Sequence, residues 1–479
     1  MLITLLASCH HEETTTPDPD AFPDGFAWGS ATAGFQVEMG CPTWPAEDCE
    51  DRGSDWYQWV TTPSIIETGS LYVSGEPVSD GPGMWETFED DIARMRDDGH
   101  TAFRMSLEWS RLFPDGAAEQ ATSVDELVPY ANAAAVQRYH DVFDALHQAG
   151  IRPVVTINHY VLPLWVHDGV ACHEHLSTCA PNGWLDGERI TRLISLYAGF
   201  VAREYGADVD DWYTLNEPFA TTLSGYMLPG PDRSAPPGVS NEIEATRDVT
   251  IHQVEASAAM YDAVKAEDPT ATVGIVLNMT AIDPNDPNNP ADVLGAEHMD
   301  WLYHRVFLEA LTSGDWDDDL DGTVDSNRPE LAGRLDVIGV NYYNRVTVLG
   351  LPFPLYPEIL PVFDFFPEFS WEPYEDGLGR VLLEAGEYGL PVWVTENGTP
   401  YVEEDGVPIL EGHVASMHEA IDAGVDVRGY LYWSWIDNYE WNHGLDLRFG
   451  LYTFDPATKE RIERPAAARL RQYAAENRL

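Results

Sequence analysis

Two glutamates in the chain each follow a short run of β-branched and aromatic residues. Glu396 ends a run that begins at Pro391, and Glu217 ends a run that begins at Asp211. Runs of this length and composition predict buried parallel strands that carry their glutamate at the carboxyl end. Two carboxylates that meet across a sugar can cleave a glycosidic bond, because one protonates the leaving oxygen while the other attacks the sugar or activates water.

An alternative applies to each glutamate taken alone, since a single glutamate after a strand often caps the strand or pairs with an arginine. The presence of two such strand ends in one chain favours the catalytic interpretation. If both carboxyl groups act on one bond, a separation of about 5–5.5 Å indicates a retaining mechanism and one of about 6.5–9.5 Å an inverting one. We expect the shorter separation.

The elements that must position Glu217 and Glu396 follow from the hydrophobic periodicity. Apolar runs predict eight strands, and the amphipathic stretches between them predict helices. The predicted strands cover residues 26–32, 101–107, 152–158, 211–216, 271–278, 336–343, 391–397 and 428–435. This alternation predicts the α/β class, with a single (β/α)8 TIM barrel and loop insertions at the C-terminal face, where such barrels hold their active sites.

The composition fits one catalytic domain, which we predict over residues 22–479. The chain has 81 acidic and 26 basic residues, a net charge of −55, and Lys265 and Lys459 are its only lysines. Such a surface repels phosphate groups, so a nucleic-acid or anionic-membrane partner is not expected. The sequence contains no apolar run of 18 residues, so it predicts no internal transmembrane helix.

The N-terminus predicts export. Residues 2–8 are mostly apolar, and residues 6–9, Leu-Ala-Ser-Cys, resemble the lipobox of bacterial lipoproteins. This resemblance implies a lipid on Cys9, a signal and disordered tether over residues 1–21, and a periplasmic or cell-surface lipoprotein. Because the run is short and lacks a basic start, it is either a signal whose true start lies upstream or an accidental apolar terminus.

The other four cysteines form two local pairs, Cys41 with Cys49 and Cys172 with Cys179. In an exported protein both pairs predict disulfides. The alternative for the second pair is a zinc site that also uses His173 and His175, which would make the protein a metal-dependent hydrolase.

An acidic stretch near residue 320 resembles the front of a calcium-binding loop. Its carboxylates are those of Asp317, Asp319, Asp321 and Asp325. Gly322 provides the turn, but Arg328 replaces the usual last ligand, so an ion would need another ligand such as Glu330. A structural calcium site and an acidic surface turn are both compatible with this pattern.

The catalytic motifs also resemble a known family. Residues 214–218, Thr-Leu-Asn-Glu-Pro, and residues 394–398, Val-Thr-Glu-Asn-Gly, are similar to the acid/base and nucleophile motifs of glycoside hydrolase family 1. The spelling of residues 36–40, Gln-Val-Glu-Met-Gly, is typical of the archaeal-type β-glycosidase branch. The resemblance extends over about residues 22–475.

This resemblance implies a retaining β-glycosidase that needs no cofactor, with Glu396 as nucleophile and Glu217 as general acid/base. Its substrates would be small β-glycosides or oligosaccharides with a terminal β-D-glucosyl residue, and also β-galactosides and β-fucosides. Two alternatives stay open. A transglycosidase would use the same residues, whereas a non-catalytic sugar-binding barrel would lack one of the two carboxylates.

Three residues are predicted to support catalysis. Arg104 lies in an apolar strand and needs a buried carboxylate partner, either Glu396, whose pKa it would lower, or Glu108. The resemblance implies that Tyr343 orients the nucleophile and that the Asn216 amide contacts the sugar 2-hydroxyl.

The resemblance also implies a set of substrate contacts. These are Gln36, His159, Asn341, Trp433, Glu440 and Trp441. The Glu440 carboxylate would repel a phosphate, which favours a neutral hexose over a 6-phosphosugar. Tyr160 departs from the family pattern, because a tryptophan commonly follows this histidine.

Overall fold

The computed structural model describes residues 18–231, 233–350, 359–362, 372–400 and 406–479. Eight parallel strands close into a barrel, which confirms the predicted (β/α)8 fold. The strands are β1 (Ala27–Ala31), β2 (Ala102–Ser106), β3 (Arg152–Asn158), β4 (Asp211–Asn216), β5 (Thr272–Asn278), β6 (Val337–Tyr342), β7 (Val392–Asn397) and β8 (Val427–Trp433). Each strand pairs with its neighbours in sequence, and β8 pairs with β1 to close the ring.

A long helical segment follows each strand. These segments are Met84–Asp97, Ala133–Ala149, Gly187–Tyr205, Ile243–Glu267, Pro290–Asp300 with Trp301–Arg305 and Val306–Thr312, Gly377–Gly386, Gly406–Asp422 and Pro465–Glu476. Local sequence sets their ends. The Asn132 side chain accepts a hydrogen bond from the amide of Ala134 at one helix start, and Gly150 ends the same helix in the left-handed conformation.

The insertions lie where the sequence predicts them, at the C-terminal face. The short helices of the described chain all lie in connections that leave the carboxyl ends of strands. They are Gly34–Glu38, Ala46–Cys49, Asp55–Thr61, Pro63–Ile66 and Val78–Asp80 after β1; Trp109–Leu112, Gly116–Gln120, Val124–Leu127 and Val128–Tyr130 after β2; Gly169–Glu174 and Gly183–Leu185 after β3; Pro218–Thr222 and Leu223–Met227 after β4; and Trp441–His443 after β8.

Within the described residues, three small sheets accompany the barrel. In the largest, Arg345–Gly350 pairs in parallel with Ala281–Pro284 and antiparallel with Ile359–Val362. The other two are hairpins, Asp315–Trp316 with Ser326–Asn327 and Tyr452–Phe454 with Arg461–Glu463.

The core has two layers because successive side chains of a strand point to opposite faces. Inside the barrel, Tyr213, Trp393 and Leu431 belong to one apolar cluster, whereas a larger cluster fills the space between strands and helices. In β2 this alternation places Ala102 in the interior cluster, and two residues later Arg104 points inward as well. The fold therefore delivers a buried guanidinium to the centre of the barrel.

The two ends of the described chain meet at the face opposite the insertions. Ala21 bridges to Arg478, and the Phe22 amide donates to the Asn477 carbonyl at 2.9 Å. The Trp28 indole, near the start of β1, donates to the Asn477 side chain. The predicted acylation site Cys9 lies outside the described residues. Within the described residues, no helix combines the length and apolarity needed to cross a bilayer.

Candidate active site

Glu217 and Glu396 line the same cavity at the C-terminal face of the barrel. Glu217 follows β4 directly and is 8% exposed, while Glu396 lies within β7 and is 3% exposed. The strand pairing shifts register between Val394 and Glu396, and likewise between Tyr213 and Asn216. Such irregularities re-aim side chains, and here they occur just where the chain presents its two carboxylates.

Both oxygens of Glu396 are held by buried donors. Arg104 Nη1 lies 2.5 Å from Oε1, and the Tyr343 hydroxyl donates to Oε2 at 2.5 Å. Burial raises the pKa of Glu396 to about 7; the charge of Glu217 acts in the same direction, and Arg104 and Tyr343 oppose it. The expected net lowering of this pKa is therefore wrong, because the desolvation of a fully enclosed carboxylate outweighs its ion pair.

The Arg104 guanidinium connects the two catalytic strands. Its Nη2 donates to Asn216 Oδ1 at 2.6 Å, next to its bond with Glu396. Glu108, the alternative partner, accepts instead from the Ser106 hydroxyl at 2.9 Å, and burial raises its pKa well above the usual value. Because the oxygen of the Asn216 amide is occupied and its nitrogen is buried without a hydrogen bond, that nitrogen suits a sugar hydroxyl.

Glu217 is held in a strained backbone conformation. Its φ of +42° lies in the left-handed region, where it turns the chain from β4 into the helix Pro218–Thr222, and such a residue typically costs about 1–3 kcal/mol. Asn341 Nδ2 donates to Oε1 at 2.7 Å, and the Tyr160 hydroxyl donates to Oε2 at 2.6 Å. Burial and the charge of Glu217 raise the pKa of Tyr160 well above its usual value, so Tyr160 acts as a donor.

A third carboxylate, that of Glu440, lies at one wall of the cavity. Gln36 Nε2 donates to its Oε2 at 2.8 Å, and Arg233 Nη1 lies 2.8 Å from its Oε1. The oxygen of the Gln36 amide is buried and has no hydrogen bond. Glu440 is thus fixed from two sides, and its remaining lone pairs can accept from ligand hydroxyls.

Flat aromatic surfaces complete the cavity. The rings of Trp433 and Trp441 each lie near His159, with centroid separations of 5.9 and 5.8 Å. Burial lowers the pKa of His159 well below its usual value, so the imidazole is neutral. Indole faces next to a neutral hydrogen-bonding ring suit a pyranose, which has apolar faces and hydroxyls around its edge.

The predicted site residues divide into two groups. Those that line the cavity are Asn216, Glu217, Tyr343, Glu396, His159, Trp433, Glu440 and Trp441. Gln36, Arg104 and Asn341 lie behind them and hold Glu440, Glu396 and Glu217, respectively. Gln36 and Asn341 were expected to contact substrate, but in this structure each has its amide nitrogen bonded to a carboxylate of the site.

Sequence reasoning missed two residues. Tyr160 was noted only as a departure from the family pattern, yet its hydroxyl bonds to Glu217. Its position directly after His159, at a strand end, was the signal available. Arg233 was not singled out from the sequence. No local pattern connects Arg233 with Glu440, which is 207 residues away.

Replacing Tyr343 with phenylalanine is expected to move the acidic limb of the kcat/KM profile to higher pH. Glu396 must be ionised to act as a nucleophile, so with its pKa at about 7 activity falls as the pH drops below that value. The Tyr343 hydroxyl favours the ionised form, so its loss raises this pKa, by about one unit for a bond worth about 1.4 kcal/mol. A pH series with a nitrophenyl glycoside measures the shift.

Tyr342→Phe is the matched control, because the Tyr342 hydroxyl donates to the carbonyl of Tyr374 and not to Glu396. This variant should leave the acidic limb of the kcat/KM profile at the same pH as in the unaltered protein. An acidic limb that is equally unmoved in Tyr343→Phe would contradict the role of that hydroxyl.

Both cysteine pairs are joined as disulfides. Cys41 bonds to Cys49 with a Cα separation of 5.9 Å, and Cys172 bonds to Cys179 with one of 5.0 Å. The alternative zinc site is therefore not formed, because neither thiol of the second pair is free. His173, another of its ligands, donates from Nδ1 to the carbonyl of Pro237 at 2.8 Å.

The acidic loop near residue 320 gathers three of its four predicted ligands. Carboxylate oxygens of Asp317, Asp319 and Asp325 lie within 4.8 Å of one another. Asp321 is outside this group and accepts from the amide of Thr323. Both oxygens of Asp317 already accept from backbone amides, and Glu330, suggested as a further ligand, bonds to Arg328. Calcium binding at this loop stays a prediction.

Comparisons with known proteins agree with this geometry. Residues 18–478 match the model of glycosyl hydrolase family 1. The chain is 32% identical to a β-galactosidase of Pyrococcus woesei, with 95% of this chain and 97% of the relative aligned. Among solved structures it is similar to the β-glycosidase of Thermosphaera aggregans (28% identity, TM-score 0.84, 96% and 98% covered) and a β-glucosidase of Pyrococcus furiosus (28%, 0.82, 96% and 97%).

Proposed function

This chain belongs to glycosyl hydrolase family 1 and is a retaining β-glycosidase, in which we propose that Glu396 is the nucleophile and Glu217 the general acid/base. Glu396 attacks the anomeric carbon while Glu217 protonates the departing oxygen. Glu217 then removes a proton from the water that hydrolyses the glycosyl-enzyme. Catalysis needs no cofactor, because the two carboxylates supply both the nucleophile and the proton.

The observation that supports these roles most directly is the difference between the two carboxylates. Glu396 is bonded to a cation, Arg104, which favours a charged nucleophile. In the described chain, Glu217 accepts its side-chain hydrogen bonds from neutral donors, Asn341 and Tyr160. The cation stabilises the ionised form that a nucleophile needs, whereas the group that exchanges a proton twice per turnover has neutral partners.

We propose β-D-glucosides, β-D-galactosides and β-D-fucosides as substrates, cleaved at the terminal non-reducing residue. Relatives named as a β-galactosidase and a β-glucosidase support this range. Glu440, held at one wall of the cavity, can accept from hydroxyls at positions 4 and 6 of the sugar. The axial 2-hydroxyl of a mannoside would be misplaced against Asn216, so mannosides are expected to be poorer substrates.

A panel of nitrophenyl glycosides tests the proposal. Glucoside, galactoside and fucoside are expected to have kcat/KM values within about 100-fold of one another, since a buried polar group that loses its hydroxyl partner costs about 1–3 kcal/mol. The α-glucoside is the matched control and should not be cleaved. Cleavage of the α-glucoside in place of the β-glycosides would contradict the proposal.

We also propose that the protein is exported and anchored by a lipid on Cys9. The lipobox-like residues 6–9 and the two disulfides support this location, because disulfides persist outside the reducing cytosol. The full chain expressed in a bacterium should fractionate with membranes, and Cys9→Ala should move it to the soluble fraction. Recovery of the unaltered chain in the soluble fraction would contradict the anchor.

A further inference from the structure

A single cationic side chain borders the cavity in an otherwise acidic protein. Arg233 is the one lysine or arginine among the described residues that line the cavity. The chain as a whole has 81 acidic and only 26 basic residues. The Arg233 side chain is 30% exposed, and its guanidinium contacts the nearly buried Glu440 at 2.8 Å. The Arg233 cation therefore lies at the wall of the cavity that holds Glu440, which we assign to sugar positions 4 and 6.

This ion pair changes which ligands the wall can accept. An unpaired Glu440 carboxylate would repel any anion placed beside it. Here Arg233 compensates its charge on Oε1, while Gln36 donates to Oε2. Arg233 therefore offsets the repulsion between the Glu440 carboxylate and an anionic sugar, which by itself would favour a neutral hexose.

Some N–H groups of the Arg233 guanidinium remain available to a ligand. An arginine side chain has five N–H donors. In the part of the chain that the structure describes, Glu440 is the hydrogen-bond acceptor of Arg233. The fork of a guanidinium matches the two oxygens of a carboxylate, and a carboxylate behind it fixes its orientation. The remaining N–H groups are therefore suited to an anionic group at the edge of the sugar.

We infer that the pocket accepts β-D-hexuronides in addition to neutral hexosides, with the C6 carboxylate of the sugar bound by Arg233. This inference rests on the proposed function, because it uses the assignment of Glu440 to positions 4 and 6 of the sugar. Arg233 is then a specificity-determining residue that Glu440 orients. The reaction is unchanged, since the C6 carboxylate is not attached to the anomeric carbon and takes no part in breaking its bond.

The experiment compares 4-nitrophenyl β-D-glucuronide with the corresponding glucoside. The unaltered protein is expected to cleave both, with kcat/KM values within about tenfold of each other. Arg233→Met should reduce kcat/KM for the glucuronide about 100-fold more than that for the glucoside, as for the loss of one hydrogen-bonded charge partner. Both values also fall by a common factor, because Glu440 loses one of the two partners that hold it. Arg233→Lys keeps the charge but loses the planar fork, so its kcat/KM for the glucuronide should lie between that of the unaltered protein and that of Arg233→Met. It tests the same point if the methionine variant does not fold.

Arg428→Met is the matched control, because it removes the same charge from an exposed position at the start of β8. It should leave the ratio of the two kcat/KM values unchanged. A 4-carboxyphenyl β-D-glucoside distinguishes a carboxylate on the aglycone from one on the sugar, and Arg233→Met should reduce its kcat/KM only by the factor seen with the 4-nitrophenyl glucoside.

Three results would overturn the inference. The unaltered protein could cleave the glucoside but not the glucuronide; Arg233→Met could reduce both equally, as expected of a residue that only holds its loop; or the loss could appear on the carboxyphenyl glucoside alone. Failure to cleave any β-glycoside would overturn the proposed function itself.

Discussion

Glu396→Ala is expected to abolish turnover of β-glycosides and to regain part of it when azide is added. Loss of a covalent nucleophile removes on the order of 10⁵-fold or more of the rate. Alanine leaves a space on the α face of the sugar, beside Arg104, that a small anion can enter. With 2,4-dinitrophenyl β-glucoside and azide, the product should be the α-glycosyl azide, because only one inversion occurs. NMR of the product measures this.

Two outcomes would contradict the assignment of Glu396. One is residual activity within about tenfold of the unaltered protein, far above what loss of a nucleophile leaves. The other is the β-glycosyl azide as product, which would indicate that a covalent intermediate still forms. A circular dichroism spectrum that matches the unaltered protein separates lost chemistry from lost structure.

Glu217→Ala is expected to slow cleavage in proportion to how much the leaving group needs a proton. General acid catalysis contributes roughly 10²–10⁴-fold, so a disaccharide should lose about that much. The dinitrophenolate of a 2,4-dinitrophenyl glycoside departs without protonation. The variant should therefore still form the glycosyl-enzyme from this substrate at a rate similar to that of the unaltered protein. Hydrolysis of the glycosyl-enzyme then becomes limiting, since no base activates water, and a burst of dinitrophenolate should precede the slow steady state.

Azide should relieve this slow step and give the β-glycosyl azide, because azide attacks the covalent intermediate and two inversions occur. The two variants are thus controls for each other: the same nucleophile yields opposite anomers. Equal losses on the disaccharide and the dinitrophenyl glycoside would contradict the role of Glu217 as the acid.

The parts of the molecule with regular periodicity were predictable from sequence. Each barrel strand is a continuous apolar run, and two of these runs end in glutamate, which indicated the barrel and the face that holds the site. Arg104 was predictable for a related reason, because a guanidinium in an apolar strand needs a buried carboxylate. The chain offered Glu396 and Glu108, and only the fold distinguishes them.

The rest depends on contacts between distant segments. The sheet that joins Ala281–Pro284 with Arg345–Gly350 is built from short strands that lack a distinct period. Arg233 lies in an irregular loop, so its contact with Glu440 has no local signature. The pKa of Glu396 depends on how completely the barrel excludes water, and residue types alone do not provide that quantity.

The meeting of Ala21 and Arg478 beneath the barrel affects how the protein can be attached to a support. Ala21 and Arg478 pair at the face opposite the cavity. A fusion partner, bead or surface linked at Ala21 or Arg478 would therefore leave the entrance facing solution. The same proximity allows a short peptide to join Arg478 to Ala21, so that new ends can be opened in a distant loop while the ring of strands remains intact.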